Sequence, residues 1–182
     1  PQNSVYEAIE CGVKLFGENR VQEALIKFSK IKLNKRDIIL HLTGPLQTNK
    51  VKQALEIFDV FHTLDRSKLL KEFSKYSDKV CEKSFFIQVN TGKELSKSGV
   101  YPEDLKSFLS KCFSYGNFNI VGLMCIPPIN EDPKKHFALL NNLANDFGLK
   151  QLSIGMSSDY LQALDFNPTY IRLGTVLFGN RK

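Results

Sequence analysis

Short apolar runs rich in β-branched and aromatic residues alternate along this chain with longer segments whose apolar residues recur at helical spacing. These runs predict seven β-strands, near residues 15–17, 37–42, 58–64, 84–90, 119–126, 151–156 and 169–174. The intervening segments predict helices at 19–32, 47–57, 67–77, 102–113, 133–147 and 158–164. Strands that alternate with helices in this way indicate an α/β fold with a parallel sheet.

The closed form of such a fold is the (βα)8 TIM-type barrel, which has eight strands. Residues 4–12 predict a helix before the first strand, with Ser4 as its N-cap and Gly12 as its stop. Because a helix of this barrel follows a strand, we expect a first strand that is missing upstream of Pro1. Residues 1–182 would then form a single βα-barrel domain, incomplete at its N-terminus. An open seven-stranded sheet is the alternative.

Composition narrows the class of protein. A chain of 182 residues with 42% apolar and 24% charged residues has the balance of one soluble globular domain. Neither a membrane span nor a signal peptide is recognisable. The four cysteines are scattered without a C-x-x-C pair, as expected for reduced thiols. We therefore expect a cytoplasmic protein.

The formal charge of +6 raises the question of nucleic-acid binding, because lysines and Arg36 crowd residues 27–36. No aromatic residues interleave with these charges to stack on bases. A solvated helix face followed by a loop explains the charges, so we expect no nucleic-acid partner.

The strongest chemical signal lies in residues 152–159 and 170–179. Each segment is an apolar strand that ends in glycine and hydroxyl residues. At the carboxyl ends of neighbouring barrel strands, such residues can direct backbone N–H groups and hydroxyls at one phosphate. The alternative is a plain strand-to-helix turn capped by Ser157 or Ser158. Arg172 lies within the last strand, beside this predicted pocket.

Other chemistries have little support. His41, His62 and His136 lack metal-ligand spacing and nearby carboxylate clusters, so we interpret them as structural histidines with satisfied hydrogen bonds. The G-x-S-x-G elbow of a serine hydrolase is absent as well, since residues 155–159 lack its final glycine.

Six segments together resemble a known family. They are residues 17–23, 41–50, 96–99, 122–127, 155–159 and 172–179, and they follow the family order across nearly the whole chain. In these six segments the chain is similar to the YggS/PROSC family of pyridoxal phosphate homeostasis proteins, which have the fold type III barrel of alanine racemase. The resemblance implies a cytoplasmic, monomeric barrel that binds pyridoxal 5′-phosphate and buffers or delivers it to recipient apoenzymes, without established turnover.

The resemblance also implies roles for individual residues. Gly155, Ser157, Gly174 and Thr175 would bind the phosphate, and Arg172 would donate to the pyridine nitrogen. Because a guanidinium keeps its proton, that nitrogen would stay unprotonated and carbanion chemistry would be disfavoured.

Two further cofactor-binding residues are open to a second interpretation. Asn19 would contact the phenolic oxygen, although it could equally be a helix N-cap. Met124 would pack against the ring, although a methionine on a strand is commonly core.

The Schiff-base lysine of the family would lie on the missing first strand, upstream of Pro1. Lys97, in the 96–99 segment, has two interpretations: a lysine near the pocket or at a second, weaker site, and a solvated loop lysine. The main alternative for function is an enzyme, namely a racemase-like pyridoxal phosphate catalyst or a barrel acting on a phosphorylated metabolite.

Overall fold

The computed structural model describes residues 2–35 and 37–179. Its strands are β1 (Leu15–Glu18), β2 (Ile39–Leu42), β3 (Val60–Leu64), β4 (Ser84–Gln88), β5 (Asn119–Met124), β6 (Gln151–Met156) and β7 (Tyr170–Arg172). Its α-helices are α1 (Gln2–Glu10), α2 (Val21–Asn34), α3 (Val51–Ile57), α4 (Ser67–Phe73), α5 (Ser77–Val80), α6 (Leu105–Tyr115), α7 (Pro133–Asp146), α8 (Tyr160–Ala163) and α9 (Thr175–Phe178). Short 3-10 helices cover Thr48–Lys50, Ser74–Tyr76, Pro102–Asp104 and Leu164–Phe166.

The strands form one sheet in chain order, and every neighbouring pair is parallel. The predicted parallel sheet with intervening helices is therefore confirmed, and the strand bounds differ from the prediction only at the ends. Two short helices, α5 and α9, were not predicted. The sequence of α9, Thr175–Phe178, is rich in residues that favour strands, but it follows Gly174, where β7 has already ended.

Contacts between distant strands show that the sheet is curled. A ring nitrogen of His62 on β3 lies 2.8 Å from the hydroxyl oxygen of Ser153 on β6. The ring centroids of His41 on β2 and Tyr170 on β7 are 4.9 Å apart. Neighbouring strands are about 4.8 Å apart, so in a flat sheet β2 and β7 would be separated by roughly 24 Å. The seven described strands thus curl into a nearly closed barrel, as predicted, and not into the alternative, an open seven-stranded sheet.

Among the described strands, β1 and β7 form the two edges, because no pairing joins them. The predicted additional strand between them stays a prediction. None of the described helices is long and apolar enough to cross a membrane.

Side chains that alternate along the strands form two layers of core. One face of the sheet packs against the helices, where Phe61 and Phe85 stack at 5.2 Å between centroids and Phe73 meets both edge-on. The other face fills the barrel with Val60, Phe86 and Met124. Each fully buried aromatic or aliphatic side chain contributes about 2 kcal/mol through removal of apolar area from water.

The ends of α1 test two predictions. The helix already begins at Gln2, so Ser4 lies within its first turn and the prediction of an N-cap there is wrong. The predicted stop at Gly12 is confirmed, because its N–H donates to the carbonyl of Ile9 at 3.0 Å with φ at +87°. That left-handed conformation favours glycine.

Candidate functional site

The carboxyl ends of β6 and β7 lie side by side. Met156 on β6 is in register with Arg172 on β7, so the residues that follow each strand occupy the same rim of the barrel. The turn 157–159 follows β6, while Leu173 and Gly174 lead from β7 into α9. The two predicted phosphate segments therefore meet in space.

Backbone N–H groups converge on Ser157. The N–H of Gly174 donates to Ser157 Oγ at 3.3 Å, and the N–H of Val176 donates to the same atom at 3.4 Å. Ser157 is half-buried, whereas Gly174 and Thr175 are exposed, so the cluster is accessible to solvent. Both bonds are long for N–H···O geometry. The arrangement is a solvent-facing set of donors and a hydroxyl that fits one anionic group.

The turn after β6 depends on Gly155. Its φ is +87°, and a Cβ there would lie 2.8 Å from the Cβ of Ala163 in α8. Asp159 stabilises the turn, because its Oδ1 accepts a hydrogen bond from the N–H of Met156 at 2.6 Å. The cap position of α8 is Asp159. The alternative in which Ser157 or Ser158 caps this helix is therefore wrong.

Arg172 is held inside the barrel by three hydrogen bonds. Nη1 donates to the carbonyl oxygen of Ser153 at 2.8 Å and to its Oγ at 2.6 Å, and Nη2 donates to the carbonyl of Cys125 at 3.0 Å. Burial lowers the pKa of the Arg172 guanidinium from its usual value, although arginine stays protonated at any ordinary pH. Of its five N–H donors, the Nε–H and one Nη2–H have no partner among the described residues.

Asn19 lies at the exposed rim after β1. Its Oδ1 accepts a hydrogen bond from Thr43 Oγ1 at 2.8 Å. Gly44 packs against it so closely that a Cβ on Gly44 would lie 2.3 Å from the carbonyl oxygen of Asn19. The cap position of α2 is Arg20, so the N-cap interpretation of Asn19 is wrong.

Met124 has no exposed surface and packs with Val60 and Phe86 inside the barrel. In this structure it is a core side chain. Gly155, Ser157, Arg172, Gly174 and Thr175 are gathered at one rim, whereas Asn19 lies at the end of β1 and Met124 lies deeper.

Sequence reasoning missed a buried polar chain behind Arg172. Ser153 Oγ lies 2.8 Å from His62 Nδ1, and His62 Nε2 lies 2.8 Å from His41 Nδ1. The expectation of satisfied structural histidines holds for His62 and His136, whose ring nitrogens are all bonded. It is wrong for His41, whose buried Nε2 has no partner among the described residues. The usable signal was a histidine on each of β2 and β3.

Burial controls the protonation of His41 and His62. It lowers the pKa of His41 to about 4, against a smaller opposing effect of the Asp59 carboxylate. Burial also places the pKa of His62 well below its usual value, and the positive charge of Arg172, together with that of His41 whenever His41 is protonated, acts in the same direction. Both imidazoles are therefore neutral near neutral pH.

Lys97 is not a free amine. Its Nζ lies 2.6 Å from Glu94 Oε2 and donates to the carbonyl of Pro127 at 3.2 Å. It lines a 260 Å³ cleft with Thr43 and Asn90. A larger cavity of 480 Å³ lies near the amino end of β6, at the opposite end of this strand from Ser157.

The basic stretch on α2 is partly neutralised. Lys27 pairs with Glu18 at 2.8 Å and with Glu23 at 3.5 Å, while Lys32 pairs with Asp59 at 2.5 Å. These pairs agree with the predicted helix face, although Lys27 and Lys32 are half-buried in ion pairs and not fully solvated as expected. No cluster of potential metal ligands occurs in residues 2–35 and 37–179.

The nearly closed barrel of parallel strands belongs to the class of the alanine racemase N-terminal domain, whose family model matches residues 3–182. Alanine racemase of Acinetobacter baumannii shares the fold with a TM-score of 0.72 at 16% identity, over 96% of this chain and 48% of that one.

Within that class, the chain belongs to the pyridoxal phosphate homeostasis protein family. It is 38% identical to the family member of Aquifex aeolicus over 193 aligned residues, covering 100% of this chain and 83% of that protein. PipY of Synechococcus elongatus PCC7942 is 33% identical, and each alignment covers 98% of this chain and 88% of PipY. Its structure without pyridoxal phosphate superposes with a TM-score of 0.90, and its structure with pyridoxal phosphate bound with 0.84.

Proposed function

We propose that this chain binds pyridoxal 5′-phosphate at the β6–β7 rim and serves in homeostasis of the cofactor, holding it and delivering it to recipient apoenzymes. The observation that carries the proposal is the convergence of two N–H groups on Ser157 Oγ beside the half-buried side chain of Arg172. The names of its relatives and the bound ligand of PipY support the same cofactor.

The phosphate would be held by Ser157, Thr175 and the backbone of Gly174. Among the described residues, the N–H groups of Gly174 and Val176 share Ser157 Oγ as their acceptor, and both bonds are long. A phosphate offers several charged acceptor oxygens, so the same N–H groups could form shorter, charge-assisted bonds to it. Gly155 would keep the turn in the conformation that brings Ser157 to this position.

The ring would lie between this cluster and Arg172. The two unused donors of the guanidinium provide a hydrogen bond for the pyridine nitrogen. Bound pyridoxal phosphate supplies a reactive aldehyde and an electron-withdrawing ring. A guanidinium that keeps its proton leaves the ring nitrogen neutral, so the site stores the cofactor in a form with little capacity for carbanion chemistry. Asn19 would reach the phenolic oxygen, and Met124 would support the ring from within the barrel.

We also propose that covalent attachment of the cofactor uses a lysine outside this sequence, on a strand between β7 and β1. Among the described strands, β1 and β7 are the two edge strands and do not pair with each other. Both run parallel to their neighbours, so a parallel strand could pair with both. Lys97 is a weaker candidate for this role, because Glu94 and Pro127 already engage its amine.

A monomer in the cytoplasm fits these features. All four cysteines are unpaired, with Cys112 and Cys125 buried. The second candidate function is a racemase-like enzyme, favoured only by the fold that the chain shares with alanine racemases. Incubation of the protein and pyridoxal phosphate with L-alanine or L-serine should give no racemisation. Sustained racemisation would replace the homeostasis proposal with the enzyme.

The binding site is tested with Ser157→Ala and two ligands, pyridoxal phosphate and pyridoxal, which lacks the phosphate. Loss of one hydrogen bond to a charged group costs roughly 1.5–3 kcal/mol, so pyridoxal phosphate should bind about ten- to a hundredfold more weakly. Binding of pyridoxal should change little. Equilibrium dialysis measures both affinities.

Ser158→Ala is the matched control, since Ser158 is the exposed neighbour with the same side chain. It should bind both ligands like the wild type. Arg172→Lys should weaken the binding of both ligands, because lysine keeps the charge but loses the planar set of donors. Equal affinities of the Ser157→Ala variant and the wild type for pyridoxal phosphate would contradict the phosphate assignment.

A further inference from the structure

Four polar side chains form a continuous hydrogen-bonded chain across the interior of the barrel. It begins at Arg172 on β7 and passes through Ser153 on β6 and His62 on β3 to His41 on β2. Ser153 is 0% exposed, His62 1% and His41 4%. We call these residues the interior chain. It occupies the layer otherwise filled by Val60, Phe86 and Met124, where apolar side chains would avoid the cost of burying polar groups.

The proton positions in the interior chain follow from arginine, which can only donate. Ser153 Oγ must therefore accept from Arg172. Among the described residues, the only other partner of this hydroxyl is His62 Nδ1. The hydroxyl hydrogen is satisfied if Ser153 donates to that nitrogen. His62 then carries its proton on Nε2 and donates to His41 Nδ1, which leaves the proton of His41 on Nε2.

Packing keeps the two imidazole rings in place. The ring of His62 stacks on Phe86, with centroids 4.6 Å apart and an interplanar angle of 13°. The ring of His41 lies edge-on to Tyr170 at 4.9 Å. The interior chain is thus rigid at both histidines, and its far end, His41 Nε2, is a buried donor without an acceptor among the described residues. A buried N–H without an acceptor lowers the free energy of unfolding. We therefore infer that the histidines have a role in function besides packing.

We propose that Ser153, His62 and His41 are positioning residues, which fix the plane of the Arg172 guanidinium so that one of its unused N–H donors meets the ring nitrogen of pyridoxal phosphate. This inference rests on the proposed function. Its physical basis is that Ser153 takes both hydrogens of Nη1, one on its carbonyl oxygen and one on Oγ. Cys125 takes one hydrogen of Nη2. Removing the hydroxyl would leave only the two backbone carbonyls to hold the guanidinium, so its plane would be less firmly fixed toward the ligand.

The proton arrangement is tested on the protein without cofactor, by nitrogen-15 NMR of the imidazoles near neutral pH. His41 and His62 should each show a protonated Nε2 and an unprotonated Nδ1. In Ser153→Ala the tautomer of His62 should become mixed, because its Nδ1 loses the donor. His136, which is bonded to Thr91 and Glu131, is the internal reference and should not change. A wild-type His62 that is protonated on Nδ1, or cationic, would overturn the proposal.

The positioning role is tested with two ligands, pyridoxal phosphate and an analogue in which carbon replaces the ring nitrogen. Ser153→Ala should bind pyridoxal phosphate roughly tenfold more weakly than the wild type, since a bond to a charged donor is misdirected. It should bind the carbon analogue as the wild type does. Ser153→Cys, close in size but a weak acceptor, should behave like Ser153→Ala if the hydroxyl is what matters.

Ser29→Ala is the control, because Ser29 is a half-buried serine on α2 whose hydroxyl, within residues 2–35 and 37–179, bonds only the carbonyl of Leu25. It should leave both affinities unchanged. If Ser153→Ala binds both ligands equally more weakly, Ser153 has only a structural role. If it binds both as tightly as the wild type, Ser153 has no role in binding. Each of these results refutes the positioning role and leaves the proposed function intact. A wild type that binds neither ligand refutes the proposed function, and the positioning role with it.

Discussion

Acidification should destabilise this protein well before its carboxylates titrate, because two histidines are buried in neutral form. His41 has a pKa of about 4 in the folded chain, against an ordinary value of 6.5. Below about pH 6.5 the unfolded chain binds a proton at His41 that the folded barrel resists. The contribution of neutral His41 to the free energy of unfolding is therefore fully present above about pH 6.5, and it is lost as the pH falls toward 4.

The magnitude follows from the gap between the two pKa values of His41. The gap is about 2.5 pH units, which limits the effect to about 3 kcal/mol at low pH. At about pH 5 the loss is about 2 kcal/mol. The pKa of His62 is also lowered, so it adds to the loss. Burial raises the pKa of Asp65, and that carboxyl acts in the opposite direction as the pH falls.

Urea denaturation at about pH 7.5 and about pH 5 measures this effect. The chain contains no tryptophan, so far-ultraviolet circular dichroism is the suitable signal. A loss of 2 kcal/mol should lower the midpoint by about 1 M urea. His41→Gln cannot titrate at this position, so it should lose about 2 kcal/mol less than the wild type over the same interval. Asp65 is present in both proteins and cancels in the comparison. An equal loss in both would refute the assignment to His41.

Two further substitutions test the packing of the barrel. Gly155→Ala should lower the free energy of unfolding by roughly 2–4 kcal/mol, since it adds a clash with Ala163 to the strain of a positive φ. Gly12→Ala has the same φ of +87° but open space around it, so it should cost only about 1 kcal/mol; equal costs would contradict the steric argument. Phe85→Ala should cost about 3–5 kcal/mol by urea denaturation, because it empties the aromatic layer between sheet and helices, and a cost below about 1 kcal/mol would show that this layer is not tightly packed.

Local patterns along the chain were sufficient to predict its main elements. Strand β6 was predicted with the bounds the structure shows, because an apolar run ending in glycine gives a clear limit. Helix ends were less accurate. Ser4 fits an N-cap by residue type, yet α1 already begins at Gln2, because residue type alone fixes a helix end only to within one or two residues.

The two segments predicted to bind phosphate could be placed at one rim for a similar reason. Their glycines and hydroxyls are adjacent in sequence, and the ends of consecutive parallel strands meet at one rim by topology alone. The bonds of Ser157 to the start of α9 could not be predicted, because α9 itself was not recognised.

The sequence by itself determined the alternation of strands and helices, the parallel sheet and the two segments that form the rim, since each depends on residues close together in the chain. Only the tertiary structure decided that His41, His62, Ser153 and Arg172 form one chain of hydrogen bonds. Ser153 and His62 are 91 residues apart in sequence, and they meet because the sheet curls. Whether a buried polar group finds a partner depends on that closure, which no local pattern encodes.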